Sequence, residues 1–168
     1  PVHNPYRQPK GQSLAIALWV QDLTMKIVLY SDIHLERQDF TPGPGAQDAD
    51  LVVLAGDVGQ GTAGLYWARE AFENKPIVMV LGNHEFFGGQ DFDEFVDVAR
   101  RKAHELDIEL LECAETSIGG IRFLGATLWT DFELFSPDPV ELGLLKQDAR
   151  KSIKDYSSGE IRTGALLK

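Results

Sequence analysis

The feature that most constrains this chain is a set of three short, continuously apolar runs of aliphatic and β-branched residues: Lys26–Tyr30, Leu51–Ala55 and Ile77–Leu81. None alternates apolar with polar, so each suits a strand buried on both faces, as parallel sheets covered on both sides require. Between the second and third runs, residues 62–74 carry Leu65, Ala68, Ala71 and Phe72 on one helical stripe, behind Thr62 as a candidate N-cap. Strand, helix, strand at this spacing reads as a right-handed parallel crossover. The first connection differs: Phe40–Asp50 is rich in Pro, Gly and Asp and reads as a loop with little helix.

Further along, Phe92, Phe95, Val96, Ala99, Ala103 and Leu106 form the inward face of a second helix over 92–106. Short strands are expected at Glu109–Glu112, Thr116–Ile118 and Ile121–Phe123, with Gly119-Gly120 joining the last two as a two-residue hairpin. A further strand is expected over Gly125–Thr130 and a charged amphipathic helix over Pro139–Tyr156. The aromatic cluster Trp129, Phe132 and Phe135 reads as a strand end packing into the core. There is no internal repeat, and the whole reads as one mixed α/β layer fold.

Composition enters through what it excludes. The net charge of −10 argues against general attraction to nucleic acid or to an anionic membrane. A phosphate substrate stays open, because bound divalent cations reverse the local sign. No stretch approaches the roughly 20 apolar residues of a membrane helix, and Leu14–Val20 is too short. Residues 1–24 read as a leader or upstream segment, and 25–168 as the domain. The single cysteine, Cys113, rules out an internal disulfide or a thiolate cage. At the end of an apolar run it reads as a buried, inert thiol, in keeping with a reducing, cytoplasmic setting.

The chemistry lies just past the end of each of the first three strands: Ser31-Asp32-Ile33-His34, Gly56-Asp57-Val58-Gly59 and Gly82-Asn83-His84-Glu85. Ligands of open α/β sheets gather at the carboxyl ends of strands, so three parallel strands bring Asp32, His34, Asp57, Asn83 and His84 to one rim. Carboxylate, imidazole and amide donors suit divalent Mn, Zn, Fe or Mg, and Asp57 has two oxygens with which to bridge a pair of ions. Any one of these pieces is commonplace, whereas all three in order, each at a strand terminus, point to function.

The three blocks resemble the first signature blocks of the calcineurin-like metallophosphoesterase superfamily, over Met25 to about Thr130. That resemblance implies a β-sandwich flanked by helices in α-β-β-α layers, with the site at one edge. It implies Asp32 and His34 on a first metal, Asp57 bridging, Asn83 on the second and His84, as the catalytic residue, close to the phosphate. Two divalent cations, manganese first among them, would then activate a hydroxide for attack on a phosphomonoester or phosphodiester. The later blocks of the superfamily, a lone histidine and a Gly-His-x-His, have no counterpart. Of the four histidines, His3 lies in the leader and His104 on the polar helix face. The expectation is therefore a domain truncated after its first half, with weak or no activity by itself.

Gly56-Asp57-Val58-Gly59-Gln60-Gly61 also lacks the second acid and the arginine of the protein Ser/Thr phosphatases, which favours a small-molecule phosphoester over a phosphoprotein. The rival reading is a non-catalytic scaffold of the same fold that binds a protein partner, as in retromer-type members. A nuclease role is disfavoured by the lack of a basic stripe. A half-sandwich would leave an edge and a core face open, so self-association is expected.

Overall fold

The computed structural model describes residues 24–88, 90–134, 138–153, 155 and 161–162. Thus the expected leader, Phe135 and Tyr156 lie outside the described residues, apart from Thr24 at the leader's edge. In chain order the elements are β1 (Ile27–Tyr30), β2 (Leu51–Ala55), α1 (Ala63–Ala71), β3 (Ile77–Val80), β4 (Gln90–Asp91), α2 (Phe92–Glu105), β5 (Glu109–Leu110), β6 (Ala114–Ile118), β7 (Ile121–Gly125), α3 (Pro139–Ser152) and β8 (Ile161–Arg162). Short 3-10 turns at Pro44–Ala46 and His84–Phe86 interrupt the loops.

β1, β2, β3 and β5 form one parallel sheet in the order β1-β2-β3-β5. The register sets Ile27 beside Leu51 and Val52 beside Ile77, so the first three strands end at one rim. One face of this sheet meets α1 and α2. Val52, Leu54, Ile77 and Met79 pack there with Leu65, Ala68 and Phe72 of the α1 region and Phe95, Val96, Ala99 and Ala103 of α2. On the other face Leu51, Val78 and Leu111 are sealed by Met25, Ile118 and Phe123. The last two of these come from the antiparallel hairpin β6–β7, which turns through Gly119 and Gly120 at φ 57 and 81. Positive φ at both central residues is what such a turn needs.

The helices start where the sequence supplies caps. The Asp91 carboxylate accepts from the Asp93 and Glu94 N–H groups and opens α2; Asp138 does the same for α3 with Val140 and Glu141. Thr62 sits at the N-cap of α1, but its hydroxyl makes no capping bond. At the other end of α1 the Arg69 guanidinium donates to the carbonyls of Phe72, Glu73, Lys75, Leu106 and Asp107, tying the C-terminal ends of α1 and α2 together.

Three expectations need correction. Residues 126–130 are not a strand: β7 already ends at Gly125, where a Cβ would come within 2.5 Å of the Leu111 side chain and 2.6 Å of Val80. The chain then leaves the sheet, although Trp129 still packs on Phe86 and Phe92. Cys113 is exposed, because it takes φ 49 in the turn after β5 while Glu112 turns inward. That buried carboxylate accepts from both the N–H and the hydroxyl of Thr127. The charged third helix stops at Ser152, and of its residues only Ala149 is buried.

Candidate metal centre

The site forms where β1, β2 and β3 end. β1 leads into Asp32 and His34, β2 into Asp57, and β3 into Asn83 and His84. The first two turns are laced together by backbone: the N–H groups of Asp32, His34 and Leu35 donate to the carbonyls of Gly56, Asp57 and Val58 at 3.2, 3.0 and 2.9 Å. Asp32, His34 and Asp57 all adopt positive φ, at 55, 55 and 54°. Non-glycine residues rarely do so, and they persist there only when the surroundings over-determine them, as at ligand sites. Gly56 and Gly82 make the fit possible. A Cβ on Gly56 would lie 2.8 Å from the Gly82 nitrogen, and one on Gly82 only 2.2 Å from Asp57 Oδ1.

His34, Asp57 and His84 each bring one ligand-capable atom to within 4.8 Å of the others. The two imidazoles meet edge to face at 4.3 Å, and Asp57 Oδ1 accepts the backbone N–H of His84 at 3.0 Å. Two imidazoles and a carboxylate are a donor set that fits a divalent cation of intermediate hardness, such as Mn, Fe or Zn. Asp32 and Asn83 flank this group. Asp32 Oδ1 is 4.0 Å from His34 Nε2, its side chain is 67% exposed, and its other oxygen accepts from the Ser31 hydroxyl. Asn83 donates its amide to Asp155 Oδ1 at 3.0 Å, and Asp155 also accepts from Trp129 Nε1 at 3.3 Å. These residues line a cleft of about 390 Å³ that also exposes Asp57 and Thr127.

Over residues 25–125 the sequence matches the family model of the calcineurin-like phosphoesterases. The chain belongs to that family. Its structure is similar to that of phosphopantetheinyl hydrolase from Mycobacterium tuberculosis, with a TM-score of 0.52 at 17% identity. The similarity covers 85% of this chain and 55% of the hydrolase, so the chain spans about half the length of that protein. No curated protein matches the sequence.

Two carboxylates that matter to this calcineurin-like centre went without a role in the sequence reading. Glu85 is fully buried. Its Oε1 accepts the N–H groups of Val58 and Gly59 at 2.8 and 3.2 Å, and its Oε2 those of Gly82 and Asp57 at 2.7 and 3.1 Å. Burial pushes its pKa above the ordinary carboxylate value, with the Asp57 charge adding, while the backbone donors pull the other way. An acid between His84 and Phe86 at a strand end was the available signal. Glu36 accepts from Nδ1 of both His34 and His84. Desolvation pushes its carboxyl up, but hydrogen bonds from its own backbone, from His84 and from His34 outweigh this and hold it below the ordinary value. Its signal was position, two residues past His34 and just beyond the first block. Nothing in the sequence pointed to Asp155, which lies beyond the family match.

Proposed function

We propose that this chain is a metal-dependent phosphoesterase domain, acting on phosphomonoesters or phosphodiesters with a pair of divalent cations, manganese first among them. The observation that carries the reading is the His34, Asp57 and His84 group at the rim of the parallel sheet, in a chain of the calcineurin-like family. Asp32 and Asn83 flank that group and complete the proposed ligand set with His34 and Asp57. Bound cations supply activation of water and neutralisation of charge on the phosphoryl oxygens. The residues of this chain do the rest. Asp57 fixes the backbone of His84 through its N–H and so holds the imidazole at the edge of the site. As water attacks phosphorus and the ester P–O bond breaks, His84 in its protonated form gives its proton to the departing alkoxide. The net charge of −10 sets the demand for cations, since an anionic substrate meets a cleft lined by Asp32, Asp57 and Asp155.

The proposal extends to a small-molecule phosphoester as substrate and to a cytoplasmic setting, which suits the exposed free thiol of Cys113. Among the described residues no helix is long and apolar enough to cross a membrane. The deciding experiment is metal stoichiometry after manganese loading, on the parent and on Asp57→Ala, with hydrolysis of aryl phosphomonoesters and diesters in parallel. A phosphopantetheinyl ester belongs in the same panel, given the fold shared with a phosphopantetheinyl hydrolase. Two metals lost with Asp57, together with turnover, support the phosphoesterase. Bound metal without turnover on any ester supports the non-catalytic scaffold, which the open apolar groove beside Leu124 and Leu128 would serve. No bound metal in the parent refutes the metal-dependent phosphoesterase.

A further inference from the structure

One carboxylate oxygen joins the two imidazoles of the site. Glu36 Oε1 lies 3.0 Å from His34 Nδ1 and 2.9 Å from His84 Nδ1. The rings arrive from different strands, at positions 34 and 84, yet their centroids are 4.3 Å apart with an interplanar angle of 71°. An ionised carboxylate only accepts hydrogen bonds, so both Nδ1 atoms must carry the hydrogen. Each ring, when neutral, then keeps its lone pair on Nε2, and a second proton can be taken up only there. The opposite nitrogen of His34 faces a different acid, with Asp32 Oδ1 at 4.0 Å from Nε2. His84 is confined from another direction by the Phe87 ring, 4.4 Å away. Arg37 Nε stands 3.8 Å from the shared oxygen and steadies it from the solvent side.

We infer that Glu36 is a positioning residue that fixes both site histidines with the hydrogen on Nδ1 and aims both Nε2 atoms away from itself, that of His34 with its lone pair toward a cation and that of His84 as the atom that carries the proton given to the leaving alkoxide. The consequence for cation binding rests on the proposed metal centre, whereas the tautomer assignment does not. Without Glu36 each neutral ring is free to place its hydrogen on Nε2, the form free histidine favours, and to rotate out of register with Asp57. A hydrogen-bond partner of this kind is worth about 10–100-fold in metal affinity when the ring is a ligand.

The test is long-range proton–nitrogen NMR on uniformly labelled full chain, at a pH where the imidazoles are neutral, with resonances assigned through His34→Asn and His84→Asn. In the parent, both rings are expected to show a protonated Nδ1 and a bare Nε2; an Nε2–H tautomer on either ring overturns the inference without any Glu36 variant. Glu36→Ala should shift both rings toward Nε2–H and weaken manganese binding, read by calorimetry, by about 10–100-fold. Glu36→Gln, which keeps an acceptor oxygen, should retain the parent tautomers and lie between the two in affinity. Unchanged tautomers in a folded Glu36→Ala protein also overturn the inference. If the parent binds no manganese, the proposed metal centre fails, and the NMR pattern still decides the role of Glu36.

Discussion

A carboxylate sealed from water must find donors, and Glu85 finds four backbone N–H groups on the turns after β2 and β3. Those turns carry Asp57 and His84, so one side chain does for the loops what a strand ladder does for strands. Truncating it orphans donors that are individually worth about 1–3 kcal/mol when left unsatisfied. Glu85→Ala is expected to lose about 3–5 kcal/mol of unfolding free energy, at the upper end for single substitutions because partial hydration of the gap relieves some of the cost. A urea titration reads this as a lower midpoint with little change in slope. Glu85→Gln keeps one acceptor but turns an amide N–H₂ toward two backbone donors, so it should fall between parent and alanine. At this scale the sequence was legible where chemistry is local, as at Asp32, His34, Asp57 and His84, which all reach the rim. It was not legible where a side chain serves partners far along the chain. Glu36 reaches His84 across 48 positions, and Glu85 reaches Asp57 across 28. Cys113 was misplaced for a related reason: the buried position at the end of the apolar run is taken by Glu112, whose partner Thr127 lies 15 residues on.

Among the elements, the first three parallel strands could be read because each is a short apolar run that stops at a small residue, Ser31, Gly56 or Gly82, and the two main helices because their apolar stripes hold period. β2 was placed to the residue. The failure over Gly125–Thr130 has a steric origin that composition does not reveal, since Gly125 is wedged against Leu111 and Val80 and the chain must turn away. Close approach also makes a sharp prediction. Gly82→Ala puts a methyl where Asp57 Oδ1 now lies, and neither the β3 backbone nor the Glu85 clasp leaves room for it to shift. Overpacking of this kind costs about 1–3 kcal/mol. Gly82→Ala should therefore lower the thermal midpoint and abolish manganese binding together. Asp91→Ala separates the two effects. It removes only the cap of α2, so about 1 kcal/mol of stability should go while metal stoichiometry stays at the parental value. If Asp91→Ala lost metal to the same degree as Gly82→Ala, metal loss would be tracking global stability and not site geometry.

For the molecule as a whole, the two faces of the parallel sheet are unequal. α1 and α2 cover one of them, whereas the β6–β7 hairpin covers only part of the other. Ile27 and Leu29 on β1 are 42% and 63% exposed beside the sealed Leu51, and Leu124 and Leu128 are 68% and 87% exposed along an apolar groove of about 600 Å³. Among the described residues β1 is also an edge strand, paired in the sheet only with β2. Exposed apolar side chains together with a strand edge favour pairing with another chain. Opposing this is the net charge of −10, which makes two copies repel at low ionic strength. The two forces respond oppositely to salt, because screening removes the repulsion and leaves apolar burial intact. Residues 25–168 are therefore expected to self-associate more strongly as salt rises, followed by sedimentation equilibrium. Leu29→Lys with Leu124→Lys should suppress association at every salt concentration while changing the thermal midpoint little, since both side chains are already largely in water. Association that instead weakened with salt would assign the contact to ion pairs on the acidic surface, and the open sheet face would then have no part in it.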